Sequence, residues 1–417
     1  MKITMYLITH IEQVLREVLQ FSFPADGVIS RYFKTNPKLG GRERGIIAET
    51  TYCVLRNKAV FASFAESGAG PALRRLVLLG LAETQDLENL PTISPEENAW
   101  LKRIKAIDRQ SLNRALQVNL PDWIWQRLLT EHGEDAAFAL AMSMNAAAPL
   151  DLRVNLLKAN REQVLLALAE QNIHATATPF AQTGLRLMQK PALQHVNLFK
   201  DGSIEVQDEG SQLLAQLLGA RRGEMIADFC AGAGGKTLAL GALMRNTGRI
   251  YAFDVSEKRL AKLKPRLARS GMSNVHPAVI AHEKDAKLKR LAGKLDRVLV
   301  DAPCSGLGTL RRNPDMKWRL SQDSITELNE KQISILSSAA RLVKKGGRLV
   351  YATCSILREE NDAIAEQFLA QNSDFKLIPV TSILAEQKID LNTGDYLKLY
   401  PHQHFTDGFF AAVFERS

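Results

Sequence analysis

The stretch MIADFCAGAGGKT, Met225 to Thr237, decides how the chain is read. Apolar residues lead to Asp228. Cys230 follows, then Gly232, Gly234 and Gly235, then Lys236 and Thr237 at the head of a new apolar run. This order predicts a strand ending near Asp228, a turn that glycine permits, and a helix from about Lys236. Backbone N–H groups converge at such a junction and suit a nucleotide-like ligand. The glycine spacing fits neither the phosphate loop G-x-x-x-x-G-K-[ST] nor the dinucleotide fingerprint G-x-G-x-x-G, and no hydride-handling group is apparent.

Outward from this junction, apolar runs predict strands at 225–229, 249–254, 276–280, 296–301, 348–353, 375–379 and 409–414. Helical patterns lie between most of them, so a mostly parallel seven-stranded, Rossmann-like α/β sheet is expected, ending antiparallel. A helix at 209–218 leads into it. Residues 141–205 read as a small α+β segment with short strands, which gives a catalytic domain over 206–417. Residues 1–140 read as all-α. Ile8, Ile11, Leu15 and Val18 recur at helical spacing, and further helices are expected over 28–34, 42–58, from Pro71, and from about 105 to 140. Residues 84–100, polar and acidic with Pro91 and Pro95, read as a loop.

The chain has 417 residues, 46% of them hydrophobic and 24% charged, with a formal net charge of +9. Residues 1–140 hold 17 basic and 16 acidic groups, and the remainder 37 and 29, so the surplus sits with the glycine turn. A surplus of that kind fits a nucleic-acid partner. Cysteines 53, 230, 304 and 354 show neither C-x-x-C pairing nor zinc spacing. No metal is expected, and a reducing, cytoplasmic setting is. The N-terminal apolar segment is broken by Glu12, Arg16 and Glu17, unlike a signal peptide, and no apolar run is long enough for a bilayer. No membrane partner is expected.

Asp254 ends the second predicted strand, where a carboxylate can accept both hydroxyls of a ribose; helix capping is the plainer reading. Asp285 holds a similar position after the third strand. Beyond the fourth come Asp301, Pro303, Cys304 and Ser305, then Arg311, Arg312, Lys317 and Trp318, a basic and aromatic set able to hold a phosphate backbone and stack a base. Cys354 follows the fifth strand. Two thiols thus leave adjacent strand ends beside a nucleotide-like cofactor site. Such a pair suits methylation of cytosine at C5: a thiolate adding at C6 makes C5 enamine-like. An acid near N3, for which Asp301 is the candidate, stabilises the developing charge. A second acid/base group must then help the C5 proton and the thiol leave.

Several long motifs in a fixed order carry a resemblance to a known family. They are RVN (153–155), VQDEGS (206–211), FCAGAGGKT (229–237), DAPCSGLGTLRRNPDMKW (301–318), ATCSI (352–356) and TDGFF (406–410). The chain resembles the RNA cytosine-C5 methyltransferases of the Nol1/Nop2/Sun family, in particular the Sun-type (Fmu) branch that acts on small-subunit (16S) ribosomal RNA. The helical N-terminal part, around LGGRERGIIAETTYCVLR, resembles the NusB-like RNA-binding domain of that branch. The resemblance implies a class I methyltransferase domain using S-adenosylmethionine, a ribosomal RNA partner rather than DNA, and a monomer. Cys354 of the TCS motif is then the nucleophile, Cys304 of the PCS motif assists release, and Asp301 stands at the cofactor–base junction. The cofactor is expected against Cys230, Ala231, Gly232, Ala233, Gly234, Gly235 and Lys236, with Asp254 at its ribose and Asp285 on its adenine side. Arg153 and Asn155 join the RNA-contact candidates. Where the family usually has AAPGGKT, this chain has AGAGGKT, which removes a proline that would stiffen the turn. The same chemistry on tRNA and an inactive RNA-binding ribosome-assembly protein are the alternatives; the presence of both cysteines and all the expected aspartates speaks against the latter.

Overall fold

The computed structural model describes residues 3–87 and 92–417. The chain forms two compact units, Met1–Ala147 with Thr309–Gln322, and Ala148–Gly308 with Asp323–Ser417. The helical unit therefore runs past residue 140 and takes in a piece of chain from the middle of the catalytic sequence. Of the 141–205 segment, residues 148–205 fall in the second unit with the sheet that follows.

Among the described residues the first unit is built on helices alone. Its opening helix, Met5–Val18, starts where Thr4 Oγ1 accepts the N–H of Leu7 and buries one stripe, Leu7, Ile8, Ile11, Val14, Leu15 and Val18. That stripe packs with Val54 and Leu55 of Gly41–Arg56 and Val77, Leu78 and Leu81 of Ala72–Thr84. Full burial of one such side chain stabilises by about 1.5–3 kcal/mol. A further helix, Lys58–Glu66, follows the third after a break at Asn57 and was not expected. Of the expected 84–100 loop, residues 88–91 lie outside the described residues. Pro95–Lys105 is helical, because Ser94 and Glu97 form a reciprocal capping box and Pro95 takes the first turn, where its missing N–H costs nothing.

The second unit holds two sheets. In the smaller, β1 (Leu150–Val154), β2 (Ala175–Ala177), β3 (Gly184–Leu187) and β4 (Ile204–Val206) lie in the order β2-β3-β1-β4, every pair antiparallel. The larger comprises β5 (Met225–Asp228), β6 (Arg249–Asp254), β7 (Val275–Val279), β8 (Leu295–Asp301), β9 (Val343–Thr353), β10 (Phe375–Leu377), β11 (Leu397–Leu399) and β12 (Phe409–Arg416). Its order is β10-β12-β9-β8-β5-β6-β7, with β11 also paired to β12. Strands β5 to β9 run parallel, and β12 turns back against β9, β10 and β11. The sheet thus has eight strands rather than seven, and its antiparallel edge is wider than expected. The extra strand, β11, is three residues long, and its Leu-Lys-Leu alternation is too short to stand out in the sequence. Apolar clusters lie on the two faces of the sheet and bury most of β5, β8 and β9. Among the described residues no helix is long and apolar enough to cross a membrane.

Candidate active site

The parallel strands β5, β6, β8 and β9 end at one edge, in Asp228, Asp254, Asp301 and Thr353. The glycine turn leaves β5 there. Its geometry is pinned by Phe229 N donating to Leu299 O and Ala231 N to Phe253 O, both at 2.8 Å. Gly232 and Gly234 have φ of +56° and +83°, the left-handed region that L side chains rarely adopt. A Cβ on Gly234 would also meet Leu263 Cδ1 at 2.1 Å, whereas at Gly232 the space is open. Helix Gly235–Leu243 follows, as predicted.

Asp254 is buried and holds this turn. Its Oδ2 accepts the N–H of Gly232 at 2.8 Å, and its Oδ1 accepts Ser256 N at 2.7 Å and Arg259 Nη2 at 3.0 Å. One acceptor direction on Oδ2 remains, since a carboxylate oxygen takes two hydrogen bonds. Asp285 caps the helix Ala286–Lys289, accepting Ala281 N at 2.8 Å and Lys287 N at 2.9 Å; these backbone bonds hold its carboxyl below the usual range. Asp228 accepts Thr237 Oγ1 at 2.7 Å through Oδ2, while its buried Oδ1 has no partner among protein atoms. Burial pushes its carboxyl up to about 7. Burial also drives the Cys230 thiol well above its ordinary range, with Asp228, Asp301 and Asp254 adding to the effect, so this cysteine stays a neutral packing group.

Lys236 reaches from the new helix to Asp301, Nζ to Oδ2 at 2.6 Å. Burial pulls its ammonium down, but Asp301 and, to a smaller extent, Cys354 and Asp228 outweigh it and leave the pKa raised. Just beyond Asp301 the two predicted cysteines come together, Cys304 Sγ to Cys354 Sγ at 3.4 Å, both as free thiols. Its hydrogen bond with Cys354, which stabilises the protonated form, and burial hold the Cys304 thiol well above its ordinary range.

The pair is positioned by residues that sequence reasoning missed. Each cysteine is followed by a serine, and both serines turn to Glu360, which is fully buried. Oε1 of Glu360 accepts Ser305 N at 2.8 Å and Gln332 Nε2 at 3.0 Å, and Oε2 accepts the hydroxyls of Ser305 and Ser355. Tyr351 Oη donates to the Glu360 carbonyl at 2.6 Å, and Gln332 also holds Pro303 O. A third strand of chain closes the arrangement. Gly308 N donates to Cys354 O at 2.9 Å and Gly408 N to Gly308 O at 2.8 Å, an approach so close that a Cβ on Gly308 would lie 2.1 Å from Gly408 O. The repeated Cys-Ser in PCS and TCS was the only sequence signal for the clamp.

Other candidates fall elsewhere. Arg153 and Asn155 are buried and structural: Arg153 donates to Gln207 and to Gly235 O, and Asn155 to Gly202 O and Ser270 O. Arg153 ties the small sheet to the glycine turn and Asn155 ties it to the end of the helix Leu263–Ser270, both away from the surface an RNA would meet. Arg311, Lys317 and Trp318 depart from expectation in the same way, within the helical unit. Lys317 is buried, with Nζ on Asn145 Oδ1 at 3.0 Å and Arg56 O at 3.3 Å. Trp318 Nε1 donates to Leu55 O at 3.1 Å beneath the Lys58 ammonium, and Arg311 donates to Ala147 O. The reason is physical: a flat aromatic and long aliphatic stems pack against helices as readily as against a base. Arg312 lies half-buried in the same segment.

Comparison with known proteins identifies the family. The family described as "16S rRNA methyltransferase RsmB/F" matches residues 215–415, and a "Methyltr_RsmF/B-like, ferredoxin-like domain" matches 120–194. The probable ribosomal RNA small subunit methyltransferase B of Synechocystis is 32% identical over 97% of this chain and 98% of its own. That of Bacillus subtilis is 30% identical over 92% of each. The crystal structure of PH0851 superposes with a TM-score of 0.82 at 29% identity, covering the whole of both chains. The chain belongs to the RsmB/F family of 16S rRNA methyltransferases.

Proposed function

We propose that the protein transfers a methyl group from S-adenosylmethionine to C5 of a cytosine in small-subunit ribosomal RNA, through a covalent bond between Cys354 and C6. The observation that carries this reading is the 3.4 Å contact of two free thiols at adjacent strand ends, with the Lys236–Asp301 pair alongside. The names of the relatives point to the same RNA.

The residues at the strand edge fit the cofactor. The turn offers an unfilled, glycine-lined surface at Gly232, Asp254 retains an acceptor for a ribose hydroxyl, and Asp228 Oδ1 is an unpartnered acceptor behind the turn. Bound there, S-adenosylmethionine supplies an electrophilic methyl on a sulfonium. The protein prepares the acceptor. The Cys354 thiolate forms a bond to C6, and the displaced electron pair spreads over C5 and N3. Lys236 and Asp301 meet the charge at the ring edge, with the ammonium as the proton-bearing member. While Cys354 is bonded to C6 it no longer raises Cys304, which releases its own proton to solvent. Once C5 carries the methyl group, the C5 proton passes to the Cys304 thiolate, the C5–H electron pair re-forms the C5–C6 double bond, and the Cys354–C6 bond breaks to return the Cys354 thiolate. The Glu360 clamp keeps both thiols on one side of the base. The helical unit is read as an RNA-selecting domain of the NusB-like kind.

The test is to incubate the full chain with small-subunit RNA and methyl-labelled S-adenosylmethionine and digest the product to nucleosides. Label in 5-methylcytidine at one position is expected. Label in another nucleoside, or in tRNA alone, overturns the reading.

A further inference from the structure

Parallel sheets are ordinarily covered on both faces. The crossover between β7 and β8 carries only the one-turn helix Ala286–Lys289. Leu288 and Leu291 pack there with Phe253 and Ile280, toward the carboxyl ends of the strands. Nearer the amino ends the same face stays open. The parallel register sets Met225 beside Arg249, and Tyr251 beside His276, and a groove of about 530 Å³ lies over them.

The lining has a chemistry of its own. Arg249, Lys287, Arg290 and Lys294 border the groove and no carboxylate does; among the described residues none of the four forms a salt bridge. The floor is aromatic. The half-buried Tyr251 ring stacks on Phe253 at 5.9 Å, the two planes nearly parallel, and the exposed His276 ring lies 6.1 Å from it. A solvated basic face would not leave a tyrosine and a histidine uncovered on a sheet. An apolar partner helix would not find four cations where its own aliphatic side chains should pack. Phosphates with an unstacked base satisfy both features.

We propose that this groove binds single-stranded RNA, its phosphates held by Arg249, Lys287, Arg290 and Lys294 and a base laid against Tyr251 and His276. The groove opens at the amino ends of β5 and β6, at Met225 and Arg249, and runs up the face to Phe253 and Ala278, where Lys287 Nζ donates to Val279 O at 2.8 Å. The cysteines and the carboxylates of the candidate active site stand beyond the carboxyl ends. One strand of six residues spans about 20 Å. The amino end of the groove therefore holds a stretch of RNA several nucleotides away from any base at the thiols. This site is independent of the methyl-transfer reading, because it can be measured without the cofactor.

The experiment is a titration of the full chain into a fluorescein-labelled, mixed-sequence 20-nucleotide RNA, followed by anisotropy between 50 and 300 mM KCl. The variant with Arg249→Ala, Arg290→Ala and Lys294→Ala should lower the slope of log K against log salt by about 2, at roughly 0.7 per phosphate contact. At 0.1 M salt the affinity should fall on the order of 100-fold. Each single alanine variant should account for about a third of that slope change, so the result does not hang on the triple variant folding. The swap Arg249→Lys, Arg290→Lys and Lys294→Arg should keep the native slope. His276→Ala should weaken binding about fivefold or more with no change of slope. A triple alanine variant with native urea midpoint, native RNA affinity and native slope would overturn the proposal. If that same variant lost affinity for polyglutamate, the groove would pass to an acidic protein segment instead.

Discussion

Glu360 offers a direct test of how the two cysteine loops are held. Replacing it by leucine removes one acceptor group from four buried donors: Ser305 N, Ser305 Oγ, Ser355 Oγ and Gln332 Nε2. A hydrogen bond to a charged acceptor contributes about 1.5–3 kcal/mol, and the four share one group, so they do not add fully. A loss of about 4 kcal/mol is expected. In a unit of this size that lowers the melting temperature by about 8–16 °C. Glu360→Gln should cost only about 1–2 kcal/mol, because the amide oxygen keeps two donors while the serine hydroxyls turn their O–H away and accept from its N–H groups. The assays are thermal and urea unfolding of the full chain, with the rate at which an aromatic disulfide reagent modifies the thiols. Loosening the clamp by about 1.4 kcal/mol or more should speed modification of Cys304 and Cys354 at least about tenfold. If Glu360→Leu melted within about 2 °C of the parent and its thiols reacted at the native rate, the clamp would be wrong.

Three other substitutions probe the charges. Burial holds Asp228 up at about 7 against an ordinary 3.8, so the stability linked to its proton is full below pH 4 and lost as pH rises to about 7. Asp228→Asn should flatten that slope, and urea midpoints at pH 5 and pH 8 that differ as much as in the parent would contradict it. Lys317 runs the other way: burial, with Arg56 and Lys58 adding, lowers it to about 7 from 10.5, so stability rises between pH 7 and 10. Lys317→Met should remove that rise in the melting of the helical unit, and an unaltered pH profile would count against a buried ammonium. Asp254→Ala takes away the acceptor of Gly232 N and the expected ribose acceptor together. Its dissociation constant for S-adenosylmethionine, by calorimetry, should rise about 10- to 150-fold, for a loss of about 1.5–3 kcal/mol; an unchanged constant removes Asp254 from the cofactor site.

The strand–turn–helix at Met225–Thr237 was legible because its signals are local: an apolar run, glycines with positive φ, and a new apolar run. The cysteine pair was legible because both thiols leave apolar strands that a parallel sheet sets side by side. Glu360 was not. In the run REEN it looks like any surface residue at a helix start, and the hydroxyl of Ser305 arrives from a loop 55 residues earlier. Lys317 and Trp318 misled for the converse reason: a basic and aromatic stretch announces surface chemistry, yet here it is packed among helices from the other end of the chain. The motifs behind the family resemblance were recognisable without their reasons. Asp208 of VQDEGS accepts Asp407 N of TDGFF at 3.2 Å, and a Cβ on Gly210 would strike Phe409 at 2.5 Å. Such contacts between distant segments leave no periodic trace in a single sequence.

The central claim, that Cys354 attacks the base while Cys304 works in release, is tested most directly by trapping. The two single variants, Cys354→Ala and Cys304→Ala, are each incubated with small-subunit RNA and methyl-labelled S-adenosylmethionine and run on a denaturing gel. Cys304→Ala should accumulate a denaturation-resistant protein–RNA complex with labelled methyl already in the RNA, because attack and transfer proceed while release fails. Cys354→Ala should give neither complex nor turnover. An adduct in Cys354→Ala and none in Cys304→Ala would contradict the account and exchange the roles of the two thiols.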